Sequence, residues 1–169
     1  MDQSVSLHPF TEAERPLLRA LAELYSYDFS EMTGWALKEN GLFLDEEKFQ
    51  RYFIDIHRAF LIRHGGVPAG FAMVDNKSQL DGREGVHDVL QFFVLRSVRR
   101  HGVGARAAHA LFDRFPGSWE VRQIAENTGA QAFWRRAIGD YTAGNYQEST
   151  WQDEDGSGVV QSFKAPAAP

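Results

Sequence analysis

The chain has 169 residues, enough for one domain with a substantial core. It contains no cysteine, which excludes disulfides, thiolate nucleophiles and cysteine-based zinc sites together. A net charge of −5 argues against a nucleic-acid binder of the broad electrostatic kind, and no apolar run approaches the ~18 residues that span a bilayer.

The six histidines (His8, His57, His64, His87, His101, His109) show no paired ligand spacing, so no metal site is expected. The first ten residues lack a charged region followed by an apolar core, and the expected location is the cytoplasm. With no internal repeat and no linker, the expectation is a single domain over 1–164 and a disordered tail over 165–169.

Val5 and Leu7 alternate with polar residues, as in a short strand ending before Pro9. Thr11 and Glu14 form a capping-box pattern, and Leu17, Leu18, Leu21 and Leu24 follow at helical spacing, predicting a helix to about Tyr25. Tyr27 to Leu44 reads as a long irregular connection. Asp45, Glu46 and Glu47 place acids at a second helix start, with Phe49, Tyr52, Phe53 and Ile56 as its apolar stripe. Two strands, Ala59–Ile62 and Gly70–Val74, flank a hairpin connection over His64–Pro68.

A long central strand is predicted over Val86–Leu95, after a polar loop from Asn76 to Gly85. A helix is predicted over Gly102–Phe115, a strand over Trp119–Ile124, a helix over Ala130–Ile138, and a final hairpin from Tyr146–Trp151 and Val159–Phe163. The order β α α β β β α β α β β describes a mixed α/β sheet.

The most informative stretch runs from Phe92 to Ala105. An apolar strand stops at Arg99-Arg100-His101-Gly102-Val103-Gly104, which opens directly into a helix. Such a junction aims unpaired backbone N–H groups and the positive end of a helix dipole at one spot, which suits a pyrophosphate. The two glycines allow close backbone approach. The dinucleotide-binding Gly-x-Gly-x-x-Gly is absent, since Ala107 stands three residues after Gly104.

This Arg-x-x-Gly-x-Gly, between strand and helix, resembles the acyl-donor motif of the GNAT (Gcn5-related) N-acetyltransferases. A second match is Asn127-x-x-Ala130-x-x-x-Trp134, similar to the family's Asn-x-x-Ala-x-x-x-Tyr. The resemblance implies a mixed, mostly antiparallel sheet of about seven strands flanked by four helices. It implies acetyl-CoA as the donor. Main-chain groups of Phe93, Val94 and Leu95 would pair with the pantetheine arm. The segment Arg99, Arg100, His101, Gly102, Val103, Gly104 and Ala105 would hold the pyrophosphate, Asn127 would contact the arm, and Trp134 would pack against the arm or the core.

Acetyl transfer to an amine requires a base to take a proton from the attacking nitrogen. Asp88, six residues before Val94, and His87, on the opposite face of the strand, are the base candidates. The family's usual acid is a Tyr at the position of Trp134, whose indole cannot serve, so Tyr141 is the substitute candidate. Gln91 stands where similar sequences often carry a carboxylate. It joins Asp28 and Trp35 as candidates for contact with a cationic small-molecule or peptide amine. The exposed edge of the final hairpin could pair with a second copy, forming a homodimer. The resemblance thus implies a direct N-acetyltransferase. The loss of ionisable groups at Gln91 and Trp134 keeps open a non-catalytic acyl-CoA binding or sensing module.

Overall fold

The computed structural model describes residues 4–51, 58–154 and 156–167. Its elements follow the expected order: β1 (Val5–Pro9), α1 (Arg15–Thr33), α2 (Glu46–Arg51), β2 (Ala59–His64), β3 (Val67–Lys77), β4 (Glu84–Val94), α3 (Val103–Arg114), β5 (Gly117–Ile124), α4 (Thr128–Thr142), β6 (Gln147–Asp153) and β7 (Gly156–Ala165). The strands form one seven-stranded sheet in the order β1-β2-β3-β4-β5-β7-β6. β4 and β5 run parallel, while β1–β2, β2–β3, β5–β7 and β6–β7 are antiparallel. This is the mixed α/β architecture that the motif pattern implied. The chain divides into two compact units, Met1–Met73 with Gln91–Val98, and Val74–Leu90 with Arg99–Pro169.

In the first unit the capping box is present: Glu14 accepts from the Thr11 backbone N–H at 3.1 Å and opens a short 3₁₀ turn ahead of α1. α1 does not stop near Tyr25 but continues two turns to Thr33. The stripe Leu18, Leu21, Tyr25 extends to Phe29, whose ring lies 5.3 Å from that of Tyr25, so apolar packing outweighs the polar Ser26 and Asp28 between them. The helix ends at Gly34, whose φ of +69° is the left-handed cap position, with its N–H donating to the Ser30 carbonyl. The irregular connection therefore begins at Gly34 rather than Tyr27.

α1 also anchors that connection where it returns. The Glu23 carboxylate accepts from the backbone N–H groups of Phe43 and Leu44 at 2.7 and 3.2 Å, and Arg19 donates to the Leu44 carbonyl at 2.8 Å. Of the second helix's predicted stripe, Phe49 is buried, while Tyr52, Phe53 and Ile56 lie outside the described residues. The β2–β3 turn is tighter than the expected five-residue connection. His64 pairs with Val67, and the two residues between, Gly65 and Gly66, both take positive φ, as a I′ turn requires. Gly70 is fixed by proximity: a Cβ there would lie 1.9 Å from the Phe93 carbonyl oxygen.

In the second unit the core forms around Trp119, whose ring stacks at 6.4 Å on Phe163 and meets Phe112 edge-on at 5.0 Å. Leu111, Ile138, Val121 and Val160 complete it. His109 Nε2 lies 2.7 Å from the Ala137 carbonyl oxygen, tying α3 to α4. α4 is longer than predicted at both ends because Asn127 caps its start and the chain stays helical to Thr142. Ala165 pairs with Gly117 and is buried in β7, so the strand claims the first residue of the expected tail. Residues 168 and 169 lie outside the described residues.

Candidate functional site

The glycine turn is tightly coiled and opens directly into α3. Arg100 and Gly102 both take positive φ, +66° and +73°. These two left-handed residues coil the backbone tightly ahead of α3, and a non-glycine residue at such a φ stores local strain. Gly102 is the N-cap of α3, and no side chain among the described residues caps that end. The first-turn amides of Val103, Gly104 and Ala105 therefore have no intrahelical acceptor and face outward at the positive end of the dipole. Arg106 reaches back from that turn, its Nη2 donating to the His101 carbonyl at 3.2 Å. Arg100, His101 and Gly102 are exposed. An anionic group bearing several oxygens fits these donors.

At the far end of the motif, Asn127 Oδ1 accepts from the Ala130 backbone N–H at 3.0 Å, which caps α4. Its Nδ2 donates to no described residue. Trp134 is 5% exposed, with its ring 6.4 Å from Phe112, which places it in the core of the second unit. In the first unit Phe93 and Val94 are buried, Phe93 lying 5.9 Å from Tyr25 and 6.1 Å from Phe71 between ring centroids. The Leu95 N–H donates to the Ala69 carbonyl at 2.8 Å.

Of the catalytic candidates, Asp88 has the most unusual surroundings. It is 1% exposed. Oδ2 accepts from the Gln79 backbone N–H at 3.2 Å, and Oδ1 is buried with no hydrogen-bond partner among the described residues. The parallel register sets Asp88 opposite Glu120, two carboxylates side by side on one face. Glu120 is satisfied by Ser78 at 2.6 Å and Arg83 at 2.9 Å. Asp88 has Arg122 at 3.8 Å. Burial pushes its pKa from 3.8 up to about 6, against the opposing pull of Arg122 and the Gln79 amide.

His87 sits on the other face of β4, its ring 5.0 Å from Trp119 and 5.5 Å from Phe115. Tyr141 donates its hydroxyl to Asp113 at 2.8 Å. Burial and that carboxylate push its pKa upward, making it a poorer proton donor. Gln91 Oε1 is buried with no hydrogen-bond partner among the described residues. Asp28 accepts from Arg96 Nε at 2.6 Å, so its charge is already paired. Trp35 is 47% exposed, with one flank 5.6 Å from Phe29.

Sequence reasoning missed Arg122, Glu120, Ser78 and Gln79. The alternation of β5 placed Glu120 and Arg122 on one face, but only the parallel register shows that this is the face of Asp88. Among the described residues no three His, Asp or Glu side chains gather in a metal-binding arrangement, and no helix is long and apolar enough to cross a membrane.

Comparison with known proteins gives one consistent answer on architecture. A GNAT acetyltransferase structure from Streptococcus agalactiae aligns with a TM-score of 0.72 at 13% identity, over 97% of each chain. The aminoglycoside acetyltransferase AAC(6')-Ib, solved with coenzyme A and kanamycin, aligns with a TM-score of 0.65 at 17% identity, over 95% of each chain. A ribosomal-protein-alanine N-acetyltransferase from Brucella melitensis aligns with a TM-score of 0.61 at 17% identity, over 94% of this chain and 99% of its own. No curated protein sequence matches the chain. The model of the acetyltransferase (GNAT) family matches residues 18–139, well over half the sequence and including both motifs, and the chain belongs to that family.

Proposed function

We propose that the protein is an acetyl-CoA-dependent N-acetyltransferase that transfers an acetyl group directly to a primary amine of a small molecule or peptide. The observation that carries this reading is the uncapped, glycine-opened N-terminus of α3 directly behind Arg99, Arg100 and His101. Acetyl-CoA, when bound, supplies a thioester that a neutral amine attacks. The amides of the Arg99–Ala105 turn hold the pyrophosphate, the backbone of Phe93–Leu95 pairs with the pantetheine arm, and Asn127 offers Nδ2 to it. Trp134 supports this segment from the core rather than touching the arm.

Asp88 is the base. A carboxylate with a pKa of about 6 is mostly ionised at neutral pH, yet basic enough to take the proton that the amine nitrogen sheds as it attacks the thioester. His87 serves less well, since rings enclose it on the opposite face of β4. Tyr141 is committed to Asp113, and the thiol leaves with a proton from water. Trp35, with Gln91, contributes to the acceptor side; Asp28 acts there through Arg96. Kanamycin, bound in one neighbour, and the ribosomal-protein alanine on which another acts are both amines and support that acceptor class. A cytoplasmic location and a homodimer paired along the β6 edge complete the reading.

The test is release of free CoA thiol from acetyl-CoA across a panel of amines, with wild type and Asp88→Asn. Turnover on at least one amine, reduced ~10²-fold or more by Asp88→Asn at unchanged CoA affinity, is the expected result. Tight CoA binding without turnover on any amine would replace this reading with the acyl-CoA sensing module.

A further inference from the structure

Arg122 has no role in the reading above, and its surroundings are unusual. Its guanidinium lies over the Trp151 ring at 5.2 Å, 3.8 Å from Asp88 Oδ2 and 3.8 Å from Asp153 Oδ2. Both separations exceed hydrogen-bond range, and Nε is buried with no hydrogen-bond partner among the described residues. The pairing with each acid is therefore coulombic and shared. The Trp151 ring is itself fixed, since Nε1 donates to the carbonyls of Gln123 and Val159 at 3.2 Å each.

We infer that Arg122 is a positioning residue for Asp88: seated on Trp151 and divided between Asp88 and Asp153, it holds the Asp88 carboxylate in the ionised form that accepting the amine proton requires. This rests on Asp88 being the base. The charged groups around Asp88 leave Arg122 as the member that can do this. From β5 it faces Glu120 and Arg122, from β3 Asp75, and from the following loop the Gln79 amide. Arg83, the other nearby cation, is engaged by Glu120 and Asp81. Glu120 and Asp75 oppose ionisation of Asp88, burial opposes it further, and among the side chains of the described residues only Arg122 favours it.

The sharing with Asp153 gives the arrangement a signature that a purely structural arginine lacks. Removing the cation and removing its second acid displace Asp88 in opposite directions. The experiment is the pH profile of kcat/KM in wild type, Arg122→Gln, Arg122→Lys and Asp153→Asn, beside a carbon-13 titration of the Asp88 carboxyl in the protein without ligand. Arg122→Gln should move the acidic limb and the Asp88 midpoint up by about one pH unit or more. Arg122→Lys should restore part of that displacement, and Asp153→Asn should move both down, because the guanidinium then serves Asp88 alone.

An Asp88 midpoint unchanged in Arg122→Gln, or displaced upward in Asp153→Asn as well, overturns the inference. If Arg122→Gln does not fold, the opposite displacements in Arg122→Lys and Asp153→Asn decide it. If Asp88→Asn retains full turnover, the base assignment fails. The carbon titration still reports separately whether Arg122 governs the carboxyl.

Discussion

Asp88 and Glu120 stand abreast on neighbouring strands, yet only one is left with an unsatisfied oxygen. A carboxyl whose folded pKa is lifted from 3.8 to about 6 binds its proton more tightly folded than unfolded. Its contribution to stability is then fully present below pH ~4 and is lost as pH rises through about 6, a swing of the order of 3 kcal/mol. Asp88→Asn removes the ionisation while keeping an acceptor for the Gln79 amide. Its unfolding free energy relative to wild type should therefore improve by about 2 kcal/mol between pH 4.5 and pH 7.5, as read by urea denaturation at both pH values. A relative stability that stays level across this range would show that the carboxyl is not desolvated. The spacing from Val94 was enough to single out Asp88 in the sequence. Its partner Arg122 was not legible, because two residues 34 positions apart become neighbours only through a parallel register that no local pattern encodes.

At the scale of elements, local rules predicted what local forces decide. The capping box of Thr11 and Glu14, the Gly65-Gly66 turn and the Arg99–Gly104 junction all appear where composition put them. The end of α1 was misjudged because Phe29 gains enough from apolar packing beside Tyr25 to carry a polar stretch into the helix. Gly70 and Gly158 gave no sequence signal at all. Each is small because another strand's carbonyl would lie 1.9 Å from its Cβ, that of Phe93 or that of Gln123. Asn127 caps α4 and, in the proposed reading, also contacts the pantetheine arm. Asn127→Asp preserves an acceptor for the Ala130 amide and should leave stability within about 0.5 kcal/mol, whereas Asn127→Ala should cost about 1 kcal/mol. Both remove Nδ2, so both should weaken CoA binding by calorimetry. Weakening in the Ala variant alone would reduce Asn127 to a cap.

For the molecule as a whole, net charge and binding chemistry point in opposite directions. A chain of net charge −5 repels a polyphosphate at long range, yet Arg99, Arg100, His101 and Arg106 fall within eight residues at one helix end. Average composition therefore gives no hint of the proposed anion site, which rests on the clustering of cations beside glycine. At physiological ionic strength screening acts over about 8 Å, so the distant acidic surface is muted while cations next to bound phosphate keep their effect. CoA affinity should thus fall as salt rises. Arg100 offers the cleanest probe because its φ of +66° is tolerated by asparagine, so Arg100→Asn removes the charge without forcing the backbone to change. One exposed charge contact of about 0.5–1 kcal/mol predicts a roughly two- to fivefold loss of CoA affinity at low salt, shrinking toward wild type at ~0.5 M salt. Calorimetric titration of both proteins with CoA across that range measures it. Equal affinities at every salt concentration would mean that the turn is a tight connection and no pyrophosphate cradle. A loss that persists undiminished at high salt would mean that Arg100 shapes the turn and does not act through its charge.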